Sequence, residues 1–283
     1  MRELTQEATD TTGPHFIPSP HSSITGDLRL HEFRSRVFGN MRMLRVWLPK
    51  GYDEGSPMHY PILYLNDGQN LFDRATAFGG VEWQVDETAE RLICEQVIPP
   101  MIIVGMDHSQ GERAREYIPY RIRHPQLTRP LGRKYPTFVT DEVMPFIEHQ
   151  YRVARGPQHT GLGGSSLGGL IALYTAILRP GVFGRLLVES PSLFLGNRRV
   201  IKESRLFRQW PERMFLAMGG RETGMPEKDE MLAHDLLELG NVLKRAGMGD
   251  DRLRVKVDDI AGHNESAWAA RFPEAMTFLY GTR

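Results

Sequence analysis

The sequence predicts an α/β fold, with a mostly parallel sheet of about eight strands, an antiparallel hairpin at its N-terminal side and helices on both faces. Short continuous apolar runs recur along the chain, and such runs are typical of strands buried on both faces of a sheet. Helix-length segments separate these runs, so strand and helix alternate. In a sheet of this kind the reactive side chains lie in loops at the carboxyl ends of the strands.

The hairpin comes first. Residues 30–38 and 41–48 alternate apolar and polar side chains, and Gly39-Asn40 between them suits a tight turn. The later strands are predicted at residues 60–66, 101–107, 159–164, 185–189, 214–219 and 253–260. Helices are predicted at residues 81–94, 138–150, 167–178, 228–246 and 266–280.

The chain of 283 residues contains no repeat, low-complexity tract or linker that would divide it, so we expect a single domain over residues 24–283. Residues 1–23 are polar, contain prolines and lack periodicity, which predicts a loosely packed N-terminal arm. The 35 Lys and Arg residues balance 35 Asp and Glu residues. Because this balance leaves no net field, neither nucleic acid nor a membrane surface is an expected partner.

The cysteine and motif content limits the chemistry further. The single cysteine, Cys94, cannot form an internal disulfide and is expected to be a small buried side chain. A signal-peptide core and a membrane-length apolar stretch are both absent from the sequence, so we expect a cytoplasmic protein. Spaced metal ligands and phosphate-binding glycine motifs are absent too, and we expect neither metal nor cofactor. The oligomeric state is left open.

The strongest chemical signal is a serine in a glycine-rich turn. Gly164-Ser165-Ser166-Leu167-Gly168 matches the G-x-S-x-G pattern, directly after a predicted strand and before a predicted helix. A sharp turn exposes the central serine, and the glycines remove side chains that would collide there, so we predict Ser166 as a nucleophile. Ser165 occupies the variable position, where its side chain should turn away. A turn that serves packing alone is the alternative, whereas a dinucleotide motif fails because Ser166 stands where its last glycine is required.

In nucleophile-elbow proteins of this fold class, the acid and then the histidine follow the serine along the chain. Of the ten histidines, His234 and His263 are the two that follow Ser166. His234 lies inside a predicted helix, where a surface role is the simpler interpretation. His263 follows the last predicted strand and precedes the final helix, so we predict it as the general base.

The acid has two candidates, each just beyond a predicted strand. Glu222 follows the strand MFLAMGG, and Glu189 ends the preceding strand RLLVE. Glu222 is preferred because its glycine-rich loop is free to aim the carboxylate at an imidazole. Glu189 stays open as the alternative.

Two backbone amides are predicted to stabilise an oxyanion. Leu167 opens a predicted helix, so its N–H points to the serine hydroxyl and the positive end of the helix dipole lies there. The second donor is expected in the loop Asp67-Gly68-Gln69-Asn70, where Gly68 would let the backbone approach the reacting carbon and the Gln69 N–H would donate. The same loop also fits an ordinary turn.

Together these segments resemble the putative-esterase family, which is the esterase D and enterochelin-esterase-like branch of the α/β-hydrolases. The resemblance covers residues 30–281 and includes RVWLPKGYD at 45–53 and YPILYLNDGQNLFD at 60–73. It continues through VEWQVDETAERLI, IIVGMDHSQGERAREYIPY, GGSSLGGL, MGGRE and AGHNESAWAARFPEAMTFLY.

The resemblance implies an α/β-hydrolase fold and a serine carboxylic-ester hydrolase that acts on a small-molecule ester through an acyl-enzyme. It implies Ser166 as nucleophile, His263 as base, Glu222 as acid, and the amides of Gln69 and Leu167 as the oxyanion hole. Because the family includes siderophore, feruloyl and acetylxylan esterases as well as mycolyltransferases, the substrate does not carry over. The elbow reads S-S-L where many esterase D relatives have H-S-M, which argues against S-formylglutathione hydrolase.

Some alternatives remain at this point. Acyl transfer to an alcohol, or a catalytically silent binding protein on the same fold, would fit the same pattern. Residues 113–117, after the strand ending at Asp107, fit either a pocket lining or an ion-paired loop that supports the site. Trp83, Trp210 and Trp268 are expected in the core or in a pocket wall.

Overall fold

A computed structural model describes residues 23–122 and 129–281, and these residues form an eight-stranded sheet in the order β1-β2-β4-β3-β5-β6-β7-β8. The strands are β1 (Asp27–Ser35), β2 (Asn40–Leu48), β3 (Ile62–Asn66), β4 (Ile102–Met106), β5 (Thr160–Ser165), β6 (Arg185–Glu189), β7 (Arg213–Arg221) and β8 (Leu253–Gly262). β2 is antiparallel to β1 and β4, and the other neighbours are parallel. The predicted α/β class and mostly parallel sheet are confirmed. The arm predicted over residues 1–23 lies, except for Ser23, outside the described residues.

The helices alternate with the strands as predicted. They are α1 (Val85–Cys94), α2 (Arg113–Tyr117), α3 (Tyr135–Thr137), a π-helical turn (Phe138–Val143), α4 (Met144–Gln150), α5 (Leu167–Leu178), α6 (Leu195–Ser204), α7 (Pro226–Arg245) and α8 (Glu265–Tyr280). The sequence did not predict α2, which is one short turn, or α6, whose first turn contains three residues with left-handed backbone. Among the described helices, none is both long and apolar enough to cross a membrane.

Both faces of the sheet are buried, which explains the continuous apolar runs. In β3, Ile62 and Tyr64 contribute to the core beneath α2 to α7, whereas Leu63 and Leu65 contribute to the core beneath α1 and α8. Successive strand residues point to opposite faces, so a strand between two helical layers needs an apolar side chain at every position. The expected helices on both faces are therefore confirmed.

The hairpin turn differs from the prediction. Ser35 pairs with Asn40, so residues 36–39 form the connection and Asn40 already belongs to β2. The prediction of a two-residue Gly39-Asn40 turn is therefore wrong. The physical reason is tertiary, because the ring of Phe38 packs 5.5 Å from that of Phe138 and holds the longer loop against the helical layer.

A carboxylate from the helical layer stabilises this loop. Glu142 on the π-helical turn is 9% exposed and accepts hydrogen bonds from the Ser35 hydroxyl at 2.8 Å, the Arg36 N–H at 2.9 Å and the Val37 N–H at 3.1 Å. Turn amides near a buried surface need such acceptors, because unpaired polar groups there are costly.

Cys94 is exposed, which corrects the expectation of a buried side chain. The buried stripe of α1 contains Val85, Ala89 and Leu92. Cys94 is the last helical residue, and at about 100° per residue it lies roughly opposite Leu92. The expectation for Trp83, Trp210 and Trp268 is confirmed, since all three are buried.

Removal of the Glu142 carboxylate should destabilise the fold. Glu142→Ala leaves three donors without their acceptor, so we expect the free energy of unfolding to fall by about 2–3 kcal/mol. Glu148→Ala, at an exposed position on α4, should change it by less than about 0.5 kcal/mol. Urea unfolding followed by circular dichroism measures both values. Similar losses in the two variants would show that the Glu142 contacts contribute nothing specific.

Candidate active site

Ser166 occupies a strained turn between β5 and α5. Its backbone has φ 57° and ψ −121°, a region that side-chain-bearing residues rarely adopt. The Ser166 N–H donates to the Glu189 carbonyl at 2.9 Å, and the Leu170 N–H donates to the Ser166 carbonyl at 3.1 Å. These bonds hold the turn between two structural elements. The arrangement is the geometry expected of a nucleophile elbow.

The glycines on either side make this turn possible. A Cβ atom added to Gly164 would lie 2.9 Å from the carbonyl carbon of Gly168, and one added to Gly168 would lie 2.9 Å from Oδ2 of Asp67. Both distances are too short for a side chain, as the sequence pattern predicted. Ser166 is partly exposed, while Ser165 is 5% exposed.

The predicted base and the preferred acid meet at the carboxyl ends of β7 and β8. Nδ1 of His263 and Oε2 of Glu222 form a short hydrogen bond. Glycines allow the two strand ends to approach, because a Cβ atom on Gly219 would lie 2.2 Å from the Ala261 carbonyl oxygen. The side chain of Glu222 is 3% exposed and that of His263 is 36% exposed, so the imidazole extends from a buried carboxylate toward solvent.

Glu222 also accepts two further hydrogen bonds, both at Oε1. The Ser190 hydroxyl donates at 2.7 Å and the Gly219 N–H donates at 2.6 Å. Burial alone would raise the pKa of Glu222, but the hydrogen bonds from His263, Ser190 and Gly219 outweigh it and hold that pKa below its usual value. The carboxylate is thus charged where it faces the imidazole.

Glu189, the alternative acid, has a different partner. Its Oε2 accepts from Nε of Arg271 at 3.0 Å and lies 2.8 Å from Nη2 of the same guanidinium, and both side chains are almost fully buried. Its other oxygen, Oε1, has no hydrogen-bond partner among the described residues, so Glu189 is not bonded to His263. His234 lies on α7 with its side chain 71% exposed, which agrees with a surface role.

The loop after β3 is held by an ion pair at the pocket. Asp67 has φ 60° and accepts two hydrogen bonds from Arg113, each of 2.7 Å. A Cβ atom added to Gly68 would lie 2.5 Å from the backbone carbon of Gly105. Gly68 therefore lets the loop lie against β4, which differs from the expected reason of approach to a reacting carbon.

Other hydrogen bonds hold the backbone on both sides of Gln69. The Leu71 N–H donates at 3.3 Å to the Gly68 carbonyl, which belongs to the same peptide as the Gln69 N–H. The Thr76 hydroxyl donates to the Gln69 carbonyl at 2.7 Å. Asn66 ties this loop to the elbow, because its Nδ2 donates to the Gly168 carbonyl at 2.8 Å. Leu167 is the first residue of α5, so its N–H has no acceptor within the helix. The two predicted oxyanion donors thus belong to segments that are bonded to each other.

A pocket of about 410 Å³ brings these groups together. It is lined by Asp67, Asn70, Phe78, His108, Arg113, Ser165, Ser166, His263, Glu265 and Trp268. Ser166 and His263 share it, and the loop of Gln69 borders it through Asp67 and Asn70. Glu222 lies behind His263, outside the lining.

Several lining residues were not predicted from the sequence. Burial lowers the pKa of His108, which favours a neutral imidazole. Burial raises the pKa of Glu265, whose carboxylate accepts from Nδ2 of Asn70 at 3.3 Å. Asn70 directly follows Gln69, and Glu265 comes two residues after His263. This proximity in sequence to predicted site residues was the signal that could have identified both.

Residues 113–117 have both of the roles that the sequence left open. Arg113 lines the pocket while it pairs with Asp67. Glu116 instead forms a buried ion pair with Arg42, with 3.0 Å between Oε2 and Nη2 and both side chains 1% exposed. The segment therefore supplies one pocket residue and one supporting pair.

Two groups among the described residues bring three possible metal ligands close together, and neither lines the pocket. His234, Asp235 and Glu238 form one group, in which the carboxylates pair with Arg198. Glu82, Asp86 and Glu87 form the other group. Burial raises the pKa of Asp86 to about 8, and its Oδ2 accepts from the Thr25 N–H at 2.6 Å.

Comparison with known proteins identifies a matching family and several relatives of the chain. A family model described as "Putative esterase" matches residues 35–279. The uncharacterized protein YbbA of Bacillus subtilis is 27% identical over 250 residues, which are 86% of this chain and 94% of that protein. The ferri-bacillibactin esterase BesA of the same organism is 24% identical, over 73% of this chain and 75% of its own length.

Solved structures agree in fold. The crystal structure of BES protein from Bacillus cereus superposes with a TM-score of 0.70 at 19% identity, and it covers 96% of this chain and 99% of its own. At this level of identity the similarity shows a common fold and nothing finer.

The buried Glu189 should make stability depend on pH. Burial raises its pKa to about 7, against the opposing effect of Arg271, from the 4.5 of an ordinary glutamate. A carboxyl with a higher pKa in the folded chain than in the unfolded chain stabilises the fold fully below about pH 4.5 and loses that contribution as the pH rises through about 7. The contribution of Glu189 to the free energy of unfolding should therefore fall from about pH 5 to about pH 8, by on the order of 2 kcal/mol.

Glu189→Gln should remove this contribution and make the overall slope shallower, while Asp86, whose pKa burial raises to about 8, keeps its own contribution. The variant is also less stable, because Arg271 loses its carboxylate partner. Glu212→Gln, in which an exposed carboxylate paired with Arg185 is neutralised, should keep the slope. Chemical unfolding at a series of pH values measures it. A slope that is as steep in Glu189→Gln as in the wild-type chain would assign it to other groups.

Proposed function

The chain belongs to the putative esterase family and is a carboxylic-ester hydrolase, and we propose that it works through a Ser166–His263–Glu222 triad and an acyl-enzyme intermediate. The observation that carries this proposal is the hydrogen-bonded His263–Glu222 pair in the same pocket as Ser166 on its strained elbow. The single-domain organisation over residues 24–283 and the cytoplasmic location stay predictions from the sequence.

In the first step the Ser166 oxygen attacks the ester carbonyl carbon. Because Nδ1 of His263 is bonded to Glu222, the other ring nitrogen is available to accept the serine proton. The carbon–oxygen bond to the alcohol then breaks, and His263 returns the proton to the departing alkoxide. The charged Glu222 stabilises the imidazolium that exists between these events.

In the second step water replaces the alcohol. His263 takes a proton from water as it attacks the acyl carbon, the bond to Ser166 breaks, and the serine recovers its proton. In both steps negative charge develops on the former carbonyl oxygen. The N–H groups of Leu167 and Gln69 are the proposed donors to that oxygen, with support from the dipole of α5.

The substrate is proposed to be a small-molecule ester. Relatives include proteins named for siderophore esters and an endo-1,4-beta-xylanase/feruloyl esterase of Xylanibacter ruminicola, so their ester types are the first substrates to test. A panel of p-nitrophenyl esters of graded chain length, feruloyl esters, acetylated sugars and enterobactin covers this range. Acyl transfer in place of hydrolysis would appear as a new ester when an alcohol is added.

Covalent labelling tests the nucleophile. A fluorophosphonate should modify Ser166 alone, because the proposal gives that hydroxyl both a base and an oxyanion hole. Intact mass and peptide mapping identify the site, and Ser166→Ala should remain unmodified. Modification of Ser165, or a folded wild-type chain that neither reacts nor hydrolyses any ester of the panel, would falsify the proposal.

Charge removal separates the two acids. Glu222→Gln keeps the shape of the side chain but loses the charge that stabilises the imidazolium, so kcat should fall by about 10²–10⁴. Glu189→Gln should cost less than about tenfold, because that carboxylate pairs with Arg271. Melting temperatures are recorded beside the rates. The reverse ranking in two folded variants would transfer the acid role to Glu189, and near-normal rates in both would indicate a dyad.

A further inference from the structure

We propose that Ser190 and Trp268 position the triad acid: Trp268 orients the Ser190 hydroxyl, and this hydroxyl holds Glu222 against His263. This inference rests on the proposed function, because it concerns the acid of that triad. Ser190 does not line the pocket, so it acts through Glu222 and is a positioning residue.

A continuous chain of hydrogen bonds connects the two residues to the base. Nε1 of Trp268 donates to the Ser190 hydroxyl oxygen at 3.0 Å, and that hydroxyl donates to Oε1 of Glu222 at 2.7 Å. Oε2 of Glu222 is bonded to Nδ1 of His263. Because the indole N–H can only donate, it fixes the direction of the chain: the serine proton must point to the carboxylate. Donors aligned in this way strengthen one another.

The backbone at Ser190 is held in an unusual conformation. Its φ is 42°, in the left-handed region that is costly for a residue with a side chain. The Ser190 N–H donates to the Ala217 carbonyl of β7 at 2.7 Å, and the residue is 3% exposed. This conformation is the one that brings the hydroxyl to Glu222, so the strain coincides with the contact.

Trp268 contacts both ends of this chain of hydrogen bonds. Besides the bond to Ser190, its ring meets the His263 ring edge-on, with centroids 5.1 Å apart and planes at 84°. It is 5% exposed and packs 5.7 Å from Trp83, which restricts its movement. One rigid side chain from α8 thus contacts the base directly and the acid through Ser190.

Several charged groups lie near this chain of hydrogen bonds, and neutral substitutions of Ser190 or Trp268 would leave those groups unchanged. Glu189 and its partner Arg271 lie on the side of Glu222, while Glu265 acts on His263 from the start of α8. The Asp67–Arg113 pair also lines the pocket. Ser190 and Trp268 carry no charge, so their replacement changes the hydrogen bonds to Glu222 without changing the net charge of the site.

The consequence is a specific pH effect. Without the Ser190 hydroxyl, Glu222 is held less firmly against His263 and stabilises the imidazolium less. In Ser190→Ala the acid-side midpoint of kcat/KM against pH should therefore move to lower pH, by about 0.5 unit. The plateau value of kcat should fall about tenfold as Glu222 loses a fixed position, with KM within about twofold. A merely structural role would lower the melting temperature without moving the midpoint.

Trp268→Phe keeps a ring but removes the N–H, and it should move the midpoint in the same direction by a smaller amount. Because Trp268 acts on Glu222 through Ser190, the double variant should move the midpoint no further than Ser190→Ala alone. Additive shifts would overturn the proposed chain. If Ser190→Ala does not fold, the Trp268→Phe shift decides.

Matched controls exist elsewhere in the chain. Ser204→Ala removes a buried hydroxyl that donates to the Val200 carbonyl, and Trp210→Phe changes a buried tryptophan packed on Phe207. Neither lines the pocket, so neither should move the midpoint or kcat. Equal effects in these controls, or an unmoved midpoint in folded Ser190→Ala, would overturn the inference.

Nuclear magnetic resonance separates this inference from the proposed function. The ring protons of His263, identified by comparison with His263→Gln, should show the same displacement of their pH titration in Ser190→Ala. This readout needs no substrate. A displaced titration in a protein that hydrolyses no ester would support the positioning inference while the esterase mechanism fails. An active protein with an undisplaced titration would support the esterase mechanism and overturn the positioning inference.

Discussion

The candidate site depends on the close approach of β7 and β8 at their carboxyl ends. Gly219 leaves no room for a side chain beside Ala261, and Gly220 leaves none beside Asp259. This approach brings Glu222, which follows β7, into contact with His263, which follows β8. A buried carboxylate without partners would be costly, but here the imidazole, a hydroxyl and an amide satisfy it. The proposed chemistry and the packing of the sheet edge therefore have the same structural cause.

Carboxylates follow several neighbouring strands at this edge of the sheet, and they differ in their partners. Three of them pair with arginines, as Asp67 with Arg113, Asp107 with Arg45, and Glu189 with Arg271. Glu222 pairs with a histidine. Arginine stays protonated in proteins, so those three pairs connect neighbouring parts of the fold and do not exchange protons. The imidazole can release and accept a proton, which distinguishes the Glu222 pair as the one suited to proton transfer.

The sequence predicted what depends on local patterns. Apolar runs gave the sheet, and the position of Glu222 and His263 just after strands predicted that they would meet. Ser190 was not predictable, because its role arises only when β6 lies beside β7 and α8 brings in Trp268. The predictions of the hairpin turn and of a buried Cys94 were wrong for a related reason. Contacts distant in sequence determine the turn, and the angular position on a helix determines the exposure of Cys94.

The sheet order places Ser166 and His263, the proposed nucleophile and base, in unequal surroundings. β5, which ends at Ser166, is fully buried and lies between β3 and β6. β8, which leads to His263, is the outermost strand next to β7 and is mostly partly exposed. Edge strands open locally at lower free energy than central ones. Fraying of β8 would therefore withdraw the imidazole while the elbow stays folded, so heat would inactivate the protein reversibly before the sheet melts, and amide hydrogen exchange would be faster along β8 than along β5.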